Sequence, residues 1–311
     1  MSDAHPGVEP GFTDAGPVGS VLLGAADVAV LLDRPPPPVL LDVRWTLAGP
    51  DRAGYLAGHL PGAMFVDLDA ELAGPPGGLD GQGGRHPLPD PGVLQDLLRR
   101  TGVHESSTVV VYGERDASVA ARAWWLLRWA GLTRVAVLDG GLHAWAAQGL
   151  PVVTGAVAEP GGGTATVRPG GMPTVDADGA SALAGRSSRD GAGERVHGGD
   201  GESVLLDARV AERYRGEVEP VDPVAGHIPG AINVPAAMVH RPDGRLLEPA
   251  ELAMVLDGAG ARAGVTAGAS CGSGVTACAL ILAGAVVGRP FALYPGSYSG
   301  WCALGRPVET G

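Results

Sequence analysis

One set of short strings occurs twice along the chain, and this repetition restricts the fold more than any other property of the sequence. In the first half, Leu40-Leu41-Asp42-Val43-Arg44 is followed by Gly58-His59-Leu60-Pro61-Gly62-Ala63. In the second, Leu205-Leu206-Asp207-Ala208-Arg209 is followed by Gly226-His227-Ile228-Pro229-Gly230-Ala231. Further on, Leu138-Asp139-Gly140-Gly141-Leu142, Trp145 and Leu150-Pro151-Val152 match Tyr294-Pro295-Gly296-Ser297-Tyr298, Trp301 and Arg306-Pro307-Val308. Order is kept throughout, and spacing is kept within each string. Two copies are too few for a stacked solenoid, so the 311 residues read as two homologous domains.

Within a copy, β-rich and helical runs alternate. Residues 39–43, 64–66, 108–112 and 135–138 read as strands; residues 91–100, 117–130 and 142–148 read as helices. The strands lack alternating polarity, which implies an α/β fold with a parallel sheet covered by helices on both faces. In the second copy, residues 265–270 have poor β-propensity and are assigned to a strand from the repeat alone. The expected divisions are a disordered tail over 1–16, a first domain over 17–152, a Gly/Pro-rich linker over 153–173 and a second domain over 174–311. The polar, Gly-rich stretch 186–202 is expected to be a mobile surface insertion.

Charge excludes several functions. A net charge of −12 argues against nucleic acid and against anionic membrane surfaces. All 22 basic residues are arginine, which removes lysine Schiff-base chemistry and a Walker-type phosphate lysine. An anionic substrate must therefore be held by Arg, His or backbone N–H groups. Residues 1–19 have neither the basic start nor the apolar core of a signal peptide, and the longest apolar run, 275–288, is too short to span a membrane. Three cysteines fit a reducing cytoplasm better than a disulfide framework. No Cys-x-x-Cys pair is present, and neither a metal nor an organic cofactor is expected.

Chemistry concentrates in Ser270-Cys271-Gly272-Ser273-Gly274-Val275-Thr276-Ala277. A thiol between the end of a parallel strand and the start of a helix sits where such sheets bind ligands. Unpaired N–H groups of a Gly-rich turn and the positive end of the helix dipole favour the thiolate there. Cys278 and Cys302 read as core residues. In the first copy Gly113 stands opposite Cys271, so only the second domain has a cysteine site, and the first is a scaffold or supplies a wall.

These strings, together with Asp207-Ala208-Arg209 through Arg213-Tyr214-Arg215-Gly216, resemble the two-domain rhodanese-type sulfurtransferases over residues 17–311, apart from 186–202. The resemblance implies tandem rhodanese-like domains in which Cys271 accepts sulfur from a small-molecule donor as a persulfide and passes it to cyanide or a thiol. It implies that Arg213 contacts the donor anion, that Gly272, Gly274, Val275, Thr276 and Ala277 form the binding loop, and that Ser273, His59 and Asp51 form a proton relay. The Gly-His-x-Pro-Gly context recurs at His227, however, so bracing of a turn is the competing reading of His59. Asp42 with Arg44, and Asp207 with Arg209, read as bracing ion pairs. Arg85 and His86 are candidates to face the cleft, without a place assigned. Relatives that use 3-mercaptopyruvate usually carry a second arginine after a Glu-Pro segment. Glu219-Pro220 here leads into Val221-Asp222, leaving Arg215 as one possible substitute.

The absence of basic residues after Cys271 favours 3-mercaptopyruvate over the compact dianion thiosulfate. Thiosulfate:cyanide transfer as the main activity, and a non-catalytic binding module, are the alternatives. A cysteine-loop phosphatase needs Arg six residues after the cysteine, and Ala277 occupies that position.

Overall fold

The computed structural model describes residues 20–78, 83–185 and 202–311. The tail expected over 1–16 and residues 186–201 of the expected insertion lie outside the described residues. The strands are β1 (Leu22–Leu23), β2 (Val39–Asp42), β3 (Trp45–Thr46), β4 (Gly49–Pro50), β5 (Met64–Phe65), β6 (Val109–Tyr112), β7 (Val135–Leu138), β8 (Ser203–Asp207), β9 (Ile232–Asn233), β10 (Thr266–Ser270) and β11 (Phe291–Leu293). The first half forms a parallel sheet ordered β1-β7-β6-β2-β5, with β3 and β4 as a small antiparallel ribbon beside it. The second half forms a parallel sheet ordered β11-β10-β8-β9. Thr174 bridges Leu293 in parallel, where the repeat would place a counterpart of β1, so the fifth strand of the second copy is reduced to one bridge.

Both faces of each sheet are buried, and successive residues feed different cores. Val109 and Val111 enter a central core, whereas Val110 and Tyr112 enter one behind the first sheet. Val204 and Leu206 enter the same central core, whereas Leu205 enters a third behind the second sheet. The central core is continuous across the halves. It joins Trp124 and Trp125, on the helix Ala120–Trp129, to Cys278, Leu280 and Ile281, on the helix Ala277–Val286. At about 1.5–3 kcal/mol per fully buried large apolar side chain, this shared core resists separation of the halves.

The strand β10 illustrates why its residues alone did not announce it. Its sequence is Thr-Ala-Gly-Ala-Ser, and small residues are required by what packs on them. A Cβ at Gly268 would lie 2.6 Å from Leu183 Cδ1. The helix expected over 117–130 begins at Ala120, and the helix that follows the Cys271 turn begins at Ala277, because the residues before them complete the loops after β6 and β10. The segment expected as a linker is laced to the first half: Gly161, Gly163, Ala165, Arg168 and Gly171 N–H groups donate to carbonyls of Arg100, Arg99, Val103, Ala130 and Trp129 at 2.8–3.0 Å. No helix among the described residues is long and apolar enough to cross a membrane.

Candidate active site

Cys271 directly follows β10, and the loop 271–276 runs from it into the helix Ala277–Val286. The loop is clamped by the first turn of the helix Ser297–Ala303. Tyr298 N–H donates to the Cys271 carbonyl at 2.9 Å and Ser299 N–H to the Gly272 carbonyl at 3.0 Å, while Cys271 N–H donates to Ser297 Oγ at 3.1 Å. With its carbonyls held outward, the loop turns an N–H onto the sulfur: Gly274 N–H donates to Cys271 Sγ at 3.1 Å. Gly274 has φ +82°, and a Cβ there would meet the Pro295 carbonyl oxygen at 2.6 Å, so the turn requires glycine. Among the described residues, no backbone carbonyl takes the N–H of Gly272, Ser273, Val275 or Thr276, which leaves them available to an anion.

The first copy repeats the clamp without the thiol. Leu142 and His143 N–H groups donate to the Gly113 and Glu114 carbonyls at 3.0 and 2.9 Å, in the positions of Tyr298 and Ser299. Gly113 therefore stands where Cys271 stands in the second copy. A cavity with room for about 280 Å³ lies over this loop, lined by Arg44, Trp45, Asp51, Glu114 and Arg115 among others.

His59 and Asp51 are not brought to Ser273, and this corrects the expected relay. His59 is fully buried, with Nδ1 2.9 Å from the Tyr55 carbonyl and its ring stacked on Tyr55 at 4.2 Å. His227 repeats this arrangement, with Nδ1 2.8 Å from the Tyr214 carbonyl and its ring 3.7 Å from the Tyr214 ring. Asp51 caps the helix Arg52–Ala57 through Gly54 N–H at 2.8 Å and lines the cavity of the first copy. The buried pairs Arg44–Asp42 and Arg209–Asp207 extend the bracing: the two guanidinium groups donate to the Gly58 and Gly226 carbonyls at 2.5 and 2.7 Å. The repeated strings thus fix turns in both halves.

The histidine on Ser273 is His86. Its Nδ1 lies 2.7 Å from Ser273 Oγ, and its Nε2 lies 3.4 Å from Asp69, which also accepts from Trp45 Nε1 at 2.8 Å. The Asp69 contact places the proton on Nε2 and leaves Nδ1 to accept from the serine hydroxyl. Burial, above all, pulls the His86 pKa below its ordinary value; the Arg122 and Arg85 charges add to this and Asp69 opposes it. That direction favours the neutral imidazole.

Arg122 ties this arm to the cysteine loop. It is fully buried, and its guanidinium donates to the Gly274 carbonyl at 3.2 Å and to the Leu72, His86 and Pro87 carbonyls at 3.1–3.3 Å. Burial lowers its pKa, with Cys278 and Cys271 as the acidic groups near its charge. Burial likewise pushes the Cys278 thiol up to about 12 and raises that of Cys302, so both are held as neutral thiols. The signal for Arg122 in the sequence was a charge inside the apolar run of the helix Ala120–Trp129. Asp69 carried no such signal.

Arg213 does reach the site. Its guanidinium is paired with Glu219 at 2.6 Å and with Asp222 at 3.0 Å, and its Nη1 lies 3.6 Å from where a Gly272 Cβ would be. Burial works against the Glu219 carboxylate, but Arg213 and the N–H groups of Asp222 and Val221 outweigh it and lower its pKa. Arg215, the expected substitute for a second arginine, instead pairs with the exposed Glu217 at 2.7 Å.

The sequence matches the family described as the rhodanese-like domain over residues 25–148 and again over 194–304. A Mycobacterium tuberculosis relative named "Putative thiosulfate sulfurtransferase SseB" is 44% identical over 300 residues, covering 94% of this chain and 98% of that one. A Pseudomonas aeruginosa relative named "Probable 3-mercaptopyruvate sulfurtransferase" is 41% identical over 302 residues, covering 93% and 98%. The crystal structure of SseA from Escherichia coli, titled as a 3-mercaptopyruvate enzyme with the "Rhodanese" fold, superposes with a TM-score of 0.73 at 31% identity, covering 90% of this chain and 99% of that one.

Proposed function

The chain belongs to the rhodanese-like family, and from that membership and the geometry of the 271–276 loop we propose that Cys271 carries sulfur in a site closed by the first half. The protein is a sulfurtransferase, moving sulfur from a small anionic donor through a cysteine persulfide to a thiol or cyanide, with 3-mercaptopyruvate as the favoured donor. The observation that carries the reading is the Gly274 N–H on the Cys271 sulfur with the Ser273–His86 bond beside it. An anionic sulfur, first thiolate and then persulfide, is held by loop N–H groups as charge develops.

With 3-mercaptopyruvate, the Cys271 thiolate attacks the donor sulfur. An S–S bond forms, the C–S bond breaks, and its electron pair passes into the enolate of pyruvate. The thiol proton of the donor must reach the enolate carbon for pyruvate to leave. Ser273 is placed to donate to the ketone oxygen and, with neutral His86 behind it, to relay that proton; Asp69 orients His86 as a positioning residue. Arg213 holds the carboxylate by charge-assisted hydrogen bonds. In the second half-reaction cyanide or a thiolate takes the outer sulfur and regenerates the thiolate, a ping-pong scheme.

The division into a non-catalytic domain over 17–152, a connecting segment over 153–173 and a catalytic domain over 174–311 follows the single thiol loop. The free state of Cys271, Cys278 and Cys302 supports a reducing cytoplasm. The name of the Mycobacterium tuberculosis relative favours the second reading, thiosulfate as main donor. Steady-state kcat/KM for both donors, with cyanide as common acceptor, decides between them. A higher value for 3-mercaptopyruvate supports the first reading, and a higher value for thiosulfate overturns the donor assignment.

A further inference from the structure

Charge around the sulfur is balanced on the open side of the loop and unbalanced behind it. On the open side, Arg85 Nη2 and Arg213 Nη1 lie 2.9 and 3.6 Å from the Cβ position of Gly272, and Arg209 Cδ lies 3.9 Å from it. Each of these residues has a carboxylate partner. Asp222 pairs with Arg85 and Arg213, Glu219 with Arg213, and Asp207 with Arg209. Guanidinium and carboxylate groups are equal in number there, so this side adds little net charge.

Behind the loop the first half inserts Arg122, and among the described residues no carboxylate pairs with it. It is fully buried, and its hydrogen bonds go to the Leu72, His86, Pro87 and Gly274 carbonyls. The titratable groups near it are Cys278 and Cys271 of the second half and His86 of the first. Burial draws His86 toward its neutral form and pushes Cys278 up to about 12, which keeps it a neutral thiol. A guanidinium keeps its proton in proteins, and a buried charge without a partner is costly. Of the groups around Arg122, Cys271 is the one that becomes an anion in the reaction.

The route between them is short. Arg122 Nη1 donates to the Gly274 carbonyl at 3.2 Å, Cys278 Sγ donates to the same oxygen at 3.5 Å, and Gly274 N–H donates to Cys271 Sγ at 3.1 Å. The Gly274 carbonyl shares a peptide unit with Val275 N–H, which no backbone carbonyl takes among the described residues. A cation on that oxygen makes the N–H a stronger donor to an anion.

We propose that Arg122 is the counter-charge of the sulfur anion, thiolate and then persulfide, held behind the loop by the first half. It is a positioning residue that acts through the Gly274 peptide and does not touch the donor. The role deepens the sulfurtransferase reading and rests on it. It gives the half without a thiol a share in activating the thiol of the other.

The test is alkylation of Cys271 by iodoacetamide, an uncharged reagent, at pH 7 and pH 10, followed by peptide mass mapping. The thiolate forms a C–S bond at the CH2 carbon and iodide leaves with the bonding pair. Arg122→Gln keeps a donor for the carbonyls and removes the charge. It should lower the ratio of the pH 7 rate to the pH 10 rate by about tenfold or more, the effect of one opposite charge close to an ionising group. Arg122→Lys, which keeps the charge and loses the planar fork, should recover part of the ratio. Cys278→Asp reaches the same end with Arg122 in place, because it gives the guanidinium a permanent carboxylate. It should lower the ratio too, and the neutral Cys278→Asn should not. An unchanged ratio in Arg122→Gln and Cys278→Asp, or an equal loss at both pH values, would overturn the proposal. If Arg122→Gln fails to fold, Cys278→Asp against Cys278→Asn decides alone. Failure of the underlying reading has a different signature: wild-type protein would form no persulfide with 3-mercaptopyruvate, whatever the alkylation ratio.

Discussion

Replacing Ser273 by alanine separates two donors that make different demands on a proton. Thiosulfate releases sulfite, a stable anion, when its outer sulfur passes to a thiolate, so no proton needs to move. 3-Mercaptopyruvate releases an enolate that must be protonated, while its thiol proton must be taken away. The Ser273 Oγ–His86 Nδ1 contact is 2.7 Å, short enough for direct transfer. Positioned acid–base catalysis contributes about 10²–10⁴-fold, and a neutral hydrogen bond that only orients contributes about 0.5–1.5 kcal/mol, or roughly tenfold. Ser273→Ala should therefore lower kcat/KM for 3-mercaptopyruvate by at least about a hundredfold and for thiosulfate by at most about tenfold, with His86→Gln behaving alike. The pH profile supplies a second readout. Because the His86 pKa is lowered, the imidazole is neutral above that value and gains a proton below it, so the acid limb for 3-mercaptopyruvate should lie below pH 6.5. Asp69 raises that pKa, and Asp69→Asn should shift the limb further toward acid. Steady-state kinetics with cyanide as acceptor measures all of these. Equal losses on both donors would refute the relay and reduce Ser273 and His86 to parts of the loop's framework.

Arg213→Ala removes a charge-assisted contact and should lower kcat/KM for 3-mercaptopyruvate by about ten- to a hundredfold, from roughly 1.5–3 kcal/mol, measured by the same assay. His59→Ala should leave kcat/KM unchanged while lowering stability by about 1–3 kcal/mol in urea unfolding, because the side chain braces a turn through Tyr55. Arg122→Met takes away the donor to the Leu72 and His86 carbonyls and one of the two donors to those of Pro87 and Gly274, and should cost at least about 2 kcal/mol of stability together with most of the activity.

The architecture was readable because the chain states it twice. The weak strand β10 was assigned only by its match to β6, since its small residues answer to Leu183 rather than to β-propensity. The thiol loop was readable because a cysteine, a glycine turn and an apolar helix are contiguous in sequence. The partners of that loop were not, because they arrive from the other half: Asp69, Arg85, His86 and Arg122 lie some 150 to 200 positions away and meet the loop only after both sheets share one core. His59 illustrates the opposite hazard. Its repeated motif drew attention, but repetition in a half without a thiol marks a structural duty, and the ring stacks on Tyr55 as His227 stacks on Tyr214.

The central claim is that one sulfur atom resides on Cys271 during turnover. Peptide mass mapping after brief exposure to 3-mercaptopyruvate, without acceptor, tests it directly. A gain of about 32 Da, one sulfur, is predicted on the peptide that contains Cys271, at that residue and removable by cyanide, with Cys278 and Cys302 unchanged. Sulfur on Cys278 or Cys302, or the same gain in a Cys271→Ser variant, would contradict the account.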